Sequence, residues 1–572
     1  MSKKKVAKII IETLEAAGVK HCYGIVGDTL NHITDAISQS EIEWVHMRHE
    51  EVGAFAAGGE AYMTGNLTAC AGSCGPGSLH FINGIYESHR NRSPVILIAS
   101  QVATTEMGID FPQNVDFVPI YKNCSVYCET IINPAQARRM TTLAAQTALN
   151  KRGVAVLIVP SDISMMEVED DPKFRVYTPS PITRPNDEEL NQIAQLLNSS
   201  KNIAVYAGFG CEDAHDEVVA LCNILNAPMA HTSRAKDFVE YNNPFNVGMT
   251  GIFGASAGYK AIMECETLLL LGADFAWQQF YPSNAKIIQI DIDATHLGRR
   301  HPIDIGAVGD IKPTLASLLP LLAPRDDRSF LDHCLRELDV VNQHHAHEVR
   351  EGKDGLIHPQ QLAMLLDRHA TDDAIFTADG GSAMVWLLRH IRTNGKRRTL
   401  LSLLHGTMAN AMPQALGIKK ALPDRQVIAI CGDGGLAMLL GDLLTVVQEN
   451  IAIKIVVINN GTLGFVELEQ KVEGLLDRYT ELKNPDFAKL AQVIGFYGDR
   501  VERSENLEEA VQAFLAHSGP ALLDVTTNRS ELVMPSVIEP TYIYSTALSS
   551  MKAIASGRGD EVVDLLVNNF LK

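Results

Sequence analysis

Residues 427–462 constrain the fold of this chain more than any other stretch. They open as VIAICGDGG (427–435) and close as KIVVINNGT (454–462), each a short apolar run ending in a polar turn. Between them Met438, Leu439, Leu443, Leu444 and Val447 recur at helical spacing, so the unit reads strand, helix, strand. Twenty-four residues separate Gly434 from Asn459, enough for a crossover that leaves the two strands parallel. Sheets of this kind present ligands at the carboxyl ends of their strands, and those ends carry Asp433 and Asn460. An aspartate, an asparagine and a main-chain carbonyl are hard oxygen donors suited to Mg²⁺, which keeps part of its coordination for phosphate and water. The glycines let the backbone come close to that phosphate.

The same alternation recurs along the whole chain and predicts an α/β protein of doubly wound parallel-sheet domains. A first series comprises VKHCYGIVGD, LTACAGSCGPG, PVILIAS and GVAVLIVPSD, and ends at the proline-rich TPSPITRP (178–185). A second contains NIAVYAGFG, TLLLLGADF and KIIQIDID, and ends near APRDDRS (323–329). The third contains AIFTADGG, the 427–462 unit and ALLDVTTN. The expected division is therefore 1–182, 183–330 and 331–530, with a separate tail at 531–572. A composition that is 46% hydrophobic and 20% charged is that of a globular protein. A net charge of −19 argues against a nucleic-acid partner, since nothing offsets phosphate repulsion. The ten cysteines are scattered, and Cys70/Cys74 and Cys124/Cys128 lack zinc-site spacing, so they read as reduced core thiols. The start, MSKKKVAKIIIETLEAAG, has a basic head interrupted by Glu12 and Glu15 and reads as an amphipathic helix, not a signal peptide. No apolar run approaches the ~18 residues of a membrane span.

Weaker cues lie elsewhere. Glu50 and Glu51 open a helix of small residues in MRHEEVGAFAAGGEAYMTG (47–65). They suit either the positive end of the helix dipole or a carboxyl group that hydrogen-bonds a cofactor. GSCGPGSLHFINGIYESHRN (72–91) is a glycine-rich turn entering a helix, a setting that admits a ligand but is common. In the middle domain, Gly208-Phe209-Gly210 follows a strand, glycines recur in TGIFG (250–254), and Asp291 ends a strand. After Gly559, helical spacing puts Val562, Val563, Leu566, Val567 and Phe570 on one face, with Asp560, Glu561, Asp564, Asn568 and Lys572 opposite. That face suits docking on the protein's own core or on a bilayer, where ~1.5–3 kcal/mol per buried side chain sustains reversible binding.

The GDG-x₂₄-NN stretch, with RHE and GSCGPG, resembles the signature of enzymes that use thiamine diphosphate. The three-domain order is similar to that of the pyruvate oxidase and acetolactate synthase family. RHEEVGAFAAG, GSCGPGSLHFING, NPFNVGMTGIFG, HGTMANAMPQALG, LGFVELE and SGRGDEV extend the similarity along the chain, and the last motif points to the membrane-associated, quinone-linked branch. The resemblance implies that Glu50 hydrogen-bonds the cofactor's pyrimidine ring. It implies that Asp433, Asn460 and the Thr462 carbonyl hold Mg²⁺ and that Gly434 and Gly435 face the diphosphate. Gly406, Thr407 and Met408 would clamp the cofactor, and Gly461, Leu463, Gly464 and Phe465 would complete its site. FAD would lie in the middle domain against Gly251, Ile252, Phe253 and Gly254, against Asp274, Phe275, Ala276, Trp277 and Gln278, and against Ile292. His80, Gln113, Phe465 and Glu469 would contact substrate. Relatives read Phe-Gln-Glu where this chain has Pro112-Gln113-Asn114, with Phe111 one position earlier, which implies a shifted aromatic wall.

The implied activity is oxidative decarboxylation of pyruvate to acetate and CO₂, with electrons passing through FAD to a membrane quinone. A soluble acetolactate synthase or a phosphate-dependent pyruvate oxidase is the alternative. The expected state is a homotetramer bound peripherally, through its tail, to the phospholipid surface on the cytoplasmic side of the cell membrane, and soluble when not reduced.

Overall fold

The computed structural model describes residues 3–254, 256–347, 355–529, 548–554, 556 and 562. Three six-stranded parallel sheets succeed one another along the chain, as the three series predict. The first has the strand order Glu43–His46, His21–Gly24, Thr68–Gly72, Val95–Gln101, Val154–Pro160, Tyr127–Thr130. The middle sheet runs Asn246–Met249, Met229–His231, Ile203–Ala207, Thr267–Leu271, Lys286–Asp291, Ile305–Val308. The third runs Arg398–Leu401, Ile375–Ala378, Val427–Gly432, Lys454–Asn459, Ala521–Thr526, Tyr497–Val501. Each sheet starts near its middle and winds outward both ways, and ligands enter such sheets where the winding reverses. In the third sheet that point lies between Ile375–Ala378 and Val427–Gly432, beside the GDG turn.

Residues 427–462 form the predicted parallel pair, with Ile428 opposite Lys454 and Gly432 opposite Ile458. Their connection is two short helices, Asp433–Met438 and Leu443–Gln448, with a tight turn at Leu440–Asp442. Leu436, Leu443 and Val446 face the core, whereas Met438 and Leu444 are exposed, so the single helical face read from the sequence is broken at that turn.

The chain's start also differs from expectation. The helix begins at Val6 and buries Val6, Ile9, Ile10 and Leu14. Lys3–Lys5 instead form a strand antiparallel to Glu167–Glu169, with Lys3 opposite Glu169 and Lys5 opposite Glu167. Opposite charges facing across the pair favour that register. The helix Ser329–His347 packs on the middle domain, where Leu331 and Cys334 join its cores.

The first and third domains meet through helices Glu50–Thr64 and Ala411–Ala421. A Cβ on Gly417 would stand 1.9 Å from the Ala56 carbonyl oxygen, and one on Gly59 2.7 Å from that of Gln414. The two backbones therefore touch, which only glycine permits at these positions. The predicted amphipathic helix of the tail falls outside the described residues except for Val562, which is buried. Among the described residues no helix is long and apolar enough to cross a membrane.

Candidate active site

The GDG turn supplies the most constrained group. Asp433 opens the helix Asp433–Met438 and is 3% exposed. Its Oδ1 accepts from the Gly434 amide (2.9 Å), and Oδ2 accepts from the Gly461 amide (2.8 Å) and Asn484 Nδ2 (2.7 Å). Burial pushes its pKa up, and these hydrogen bonds only partly offset the effect. No cationic side chain pairs with it among the described residues, so a buried carboxylate faces only neutral donors, a setting a divalent cation would complete. Asn460 and Thr462 lie on the adjacent turn, where Asn460 Oδ1 accepts from the Thr462 amide (3.1 Å). Thr462 Oγ1 donates to Glu467 (2.8 Å) and the Thr480 carbonyl (3.2 Å). One carboxylate, an amide oxygen and a carbonyl fit Mg²⁺ better than a transition metal. Among the described residues no group of three His, Cys, Asp or Glu side chains could hold a metal.

The backbone around this carboxylate is pared to glycine. Gly461 has φ +68°. A Cβ on Gly434 would stand 2.8 Å from Leu463 Cδ2 and 3.4 Å from Met408 Cε, and one on Gly464 2.8 Å from Asn460 Nδ2. Gly406, φ +75°, turns the clamp loop so that Met408 reaches this turn. Thr407 is held on three sides: its amide donates to Ser402 Oγ (2.9 Å), its carbonyl accepts from the Gly380 amide (3.2 Å), and its hydroxyl accepts from Asn83 Nδ2 (3.1 Å).

A second group lies on the first domain. Glu50, 8% exposed, is the first residue of its helix, with the His49 side chain capping the Glu51 amide. Its Oε2 bonds His80 Nδ1 at 2.9 Å, and His80 stacks on His49 with ring centroids 4.9 Å apart. Gln113 adopts φ +65° and accepts from the Cys74 thiol at 3.2 Å. A Cβ on Gly75 would stand 2.8 Å from Gln113 Cβ, so the glycine-rich turn receives the Gln113 backbone. Phe111 is 39% exposed.

Phe465 and Glu469 occupy the helix Gly464–Val472 of the third domain, and Glu469 is exposed. Phe465 meets Phe253 of the middle domain with centroids 6.4 Å apart. It also lines a small open pocket with Ser382, Trp386 and Asn460. Within one chain the expected site residues thus form two groups: Glu50, His80 and Gln113, and Asp433, Asn460, Thr462, Met408 and Phe465. Among the described residues no hydrogen bond or ion pair joins them.

The middle-domain residues form a third group. Gly251, φ +102°, lies under the Phe275 ring, which a Cβ there would meet at 2.5 Å. Trp277 packs beside Phe275 (5.2 Å), Asp274 pairs with Arg299 and Arg300, and Ile292 is 47% exposed. A Cβ on Gly254 would meet the Met249 carbonyl at 2.3 Å. Ile252 and Phe253 are half-buried, and Ala276 and Gln278 exposed, along the same sheet edge.

Several residues of the site escaped the sequence reading. Asp379, 2% exposed, ends the neighbouring strand and accepts from the Ala411 amide (2.9 Å) and the Gly432 amide (3.2 Å). Burial pushes its pKa up to about 7. A Cβ on Gly435 would stand 2.2 Å from its Oδ2, so Asp379 braces the GDG turn against the clamp. The acid after the strand in AIFTADGG was the available signal. Asn83 and Asn484 carry no such signal, since tertiary packing alone brings them in.

Family models match all three domains: the N-terminal thiamine pyrophosphate (thiamine diphosphate) binding domain over residues 4–120, the central domain over 190–318, and the C-terminal binding domain over 379–525. A putative thiamine pyrophosphate-containing protein of Bacillus subtilis is 33% identical over 535 residues, 92% of each chain. A pyruvate oxidase of Lactiplantibacillus plantarum is 30% identical over 90% of this chain and 87% of its own. The large subunit of acetolactate synthase isozyme 2 of Escherichia coli is 30% identical over 93% and 97%. The chain belongs to the thiamine diphosphate-dependent enzymes. Within them it falls in the group that resembles pyruvate oxidase and acetolactate synthase.

Proposed function

We propose that this chain is a peripheral-membrane flavoenzyme that converts pyruvate, water and a quinone into acetate, CO₂ and quinol. Thiamine diphosphate with Mg²⁺ would supply the electron sink for carbon–carbon cleavage, and FAD would accept the two electrons. Asp433, the Asn460 side chain and the Thr462 carbonyl hold the metal in this reading. The Gly434 and Gly435 amides would face the diphosphate, and Gly406 and Met408 would position the cofactor. Glu50 would hold the proton shared with the pyrimidine ring. His80 and Gln113 orient the substrate carboxylate, while Phe465 and Glu469 close the other wall and exclude water. Among the described residues no hydrogen bond or ion pair joins the Glu50 group to the Asp433 group, and in this reading a second copy completes the site, with a homotetramer as the assembly.

One observation carries the reading: the helix that follows the metal turn reaches both the middle domain and the tail. Its Phe465 ring meets Phe253. Just past its end, the Leu475 carbonyl accepts from Ser549 Oγ (2.7 Å) and the Gly474 carbonyl from Lys552 Nζ (2.8 Å). Such a path supports electron transfer to a middle-domain flavin and a tail that reports on the site.

Anaerobic mixing with pyruvate is expected to bleach the flavin of the purified enzyme. An unchanged flavin spectrum with acetolactate as product would favour a synthase, and acetyl phosphate a phosphate-dependent oxidase. Deleting residues 550–572 is expected to abolish liposome binding while leaving ferricyanide-linked activity; equal binding by the truncated chain would remove the membrane role.

A further inference from the structure

The middle sheet leaves one stretch of its ligand edge without a role in the proposed function. Strand order puts the ends of Met229–His231 and Ile203–Ala207 between the 251–254 and 274–278 loops. At about 4.8 Å per strand, a dinucleotide spanning both loops crosses about 14 Å of this edge. At one end of this stretch, between Ile203–Ala207 and Thr267–Leu271, the winding of the sheet reverses. There a Cβ on Gly208 would stand 2.2 Å from the Gly272 carbonyl oxygen, and one on Gly210 2.7 Å from Gly272 Cα. The two turns touch through bare backbone, the arrangement that lets main chain approach a phosphate.

Arg234 follows the next strand. Its guanidinium lies over the Phe209 ring, 4.3 Å from the centroid, inside the glycine pair. Its Nη2 is buried and has no hydrogen-bond partner among the described residues. A buried charged donor without an acceptor is costly and marks a place for an anion. The neighbouring cations are already engaged: Arg299 and Arg300 with Asp274, and Lys236 with Glu240. A second guanidinium arrives from the first domain. Arg92, at φ +59°, donates to His296 Nε2 (3.4 Å), and His296 Nδ1 bonds Asp291 at 3.0 Å. Burial and, after it, the charge of Arg234 lower the Arg92 pKa. A guanidinium over the glycine turn, with a second beside the end of the Lys286–Asp291 strand, suits a diphosphate, which guanidinium groups bind through paired N–H donors.

We propose that Arg234, with Arg92 reaching across from the first domain, binds the diphosphate of the flavin dinucleotide at this edge. The inference rests on the flavoenzyme reading and adds to it an anion-binding pair shared between two domains. A purely structural role for Arg234 is the competing explanation, because it also lines a small pocket with Tyr62 and Asn91 of the first domain and Thr399 of the third.

The full-length enzyme, freed of flavin and titrated with FAD or with riboflavin, separates these cases by flavin fluorescence. Arg234→Met keeps a long stem over Phe209. It is expected to weaken FAD at least tenfold, to leave the affinity for phosphate-free riboflavin unchanged, and to flatten the salt dependence of FAD binding. Arg234→Lys is expected to fall between, and Arg92→Gln to show a smaller loss confined to FAD. FAD affinity equal to wild type in Arg234→Met would overturn the proposal. So would equal losses of FAD and riboflavin accompanied by a lower unfolding temperature. A wild-type chain that binds no FAD would instead refute the flavoenzyme reading, and this inference with it.

Discussion

Glu50→Gln is expected to lower turnover by about 10²–10⁴-fold, the range associated with losing a positioned proton-transfer group. The side chain sits at the first position of a buried helix and is 8% exposed. Glutamine preserves its volume and an acceptor oxygen but cannot exchange the proton. Cofactor content should change much less, because the proposed metal and diphosphate contacts lie at Asp433, Asn460 and the glycine turns. The comparison is therefore the turnover number against bound thiamine diphosphate in the same preparation. Turnover within tenfold of wild type would remove Glu50 from any proton-transfer role.

The second large effect is structural. Gly417→Ala places a methyl group 1.9 Å from the Ala56 carbonyl oxygen, a backbone atom that cannot rotate away. The helices Ala411–Ala421 and Glu50–Thr64 must then separate, at the ~1–3 kcal/mol typical of overpacking or more. One helix begins with Glu50 and the other follows the clamp loop, so stability and cofactor affinity should fall together. Gly441→Ala is the control: nothing lies within 4 Å of the added Cβ, and it should unfold like wild type. Differential scanning calorimetry of the two variants decides the matter, and an unfolding temperature for Gly417→Ala equal to that of the control would refute the tight packing.

The strands read from the sequence all lie in the interior of a sheet, although the short interior strand Met229–His231 was missed as well. Val95–Gln101, Val154–Pro160 and Lys454–Asn459 are buried at every residue, and burial on both faces leaves a continuous apolar run. Both edges of every large sheet were missed. Glu43–His46 and Tyr127–Thr130 bound the first, Asn246–Met249 and Ile305–Val308 the second, and Arg398–Leu401 and Tyr497–Val501 the third. Edge strands are partly wet, so Tyr127–Thr130 (YCET) and Tyr497–Val501 (YGDRV) carry no apolar run to read. The candidate site divides in the same way. The Asp433 and Asn460 turns are legible because one chain segment carries both. Asp379 becomes part of the site only when Ile375–Ala378 pairs with Val427–Gly432. Asn83 reaches Thr407 across 324 residues of sequence. Such non-local pairings have no periodicity along the chain. The hydrophobic periodicity between the strands of 427–462 overstated a helix that the turn at Leu440–Asp442 divides.

The ten cysteines, which read as core thiols in the sequence, bear on the proposed flavoenzyme reading. Nine are buried and Cys128 is half-buried. Burial pushes the thiols of Cys22, Cys70, Cys124, Cys128, Cys211, Cys222, Cys265, Cys334 and Cys431 above their ordinary range. Peroxide attacks the thiolate and not the thiol, and oxidation follows thiolate character and exposure. If the proposed flavin, once reduced, leaked electrons to oxygen, the peroxide formed would meet these nine thiols protonated and largely out of reach.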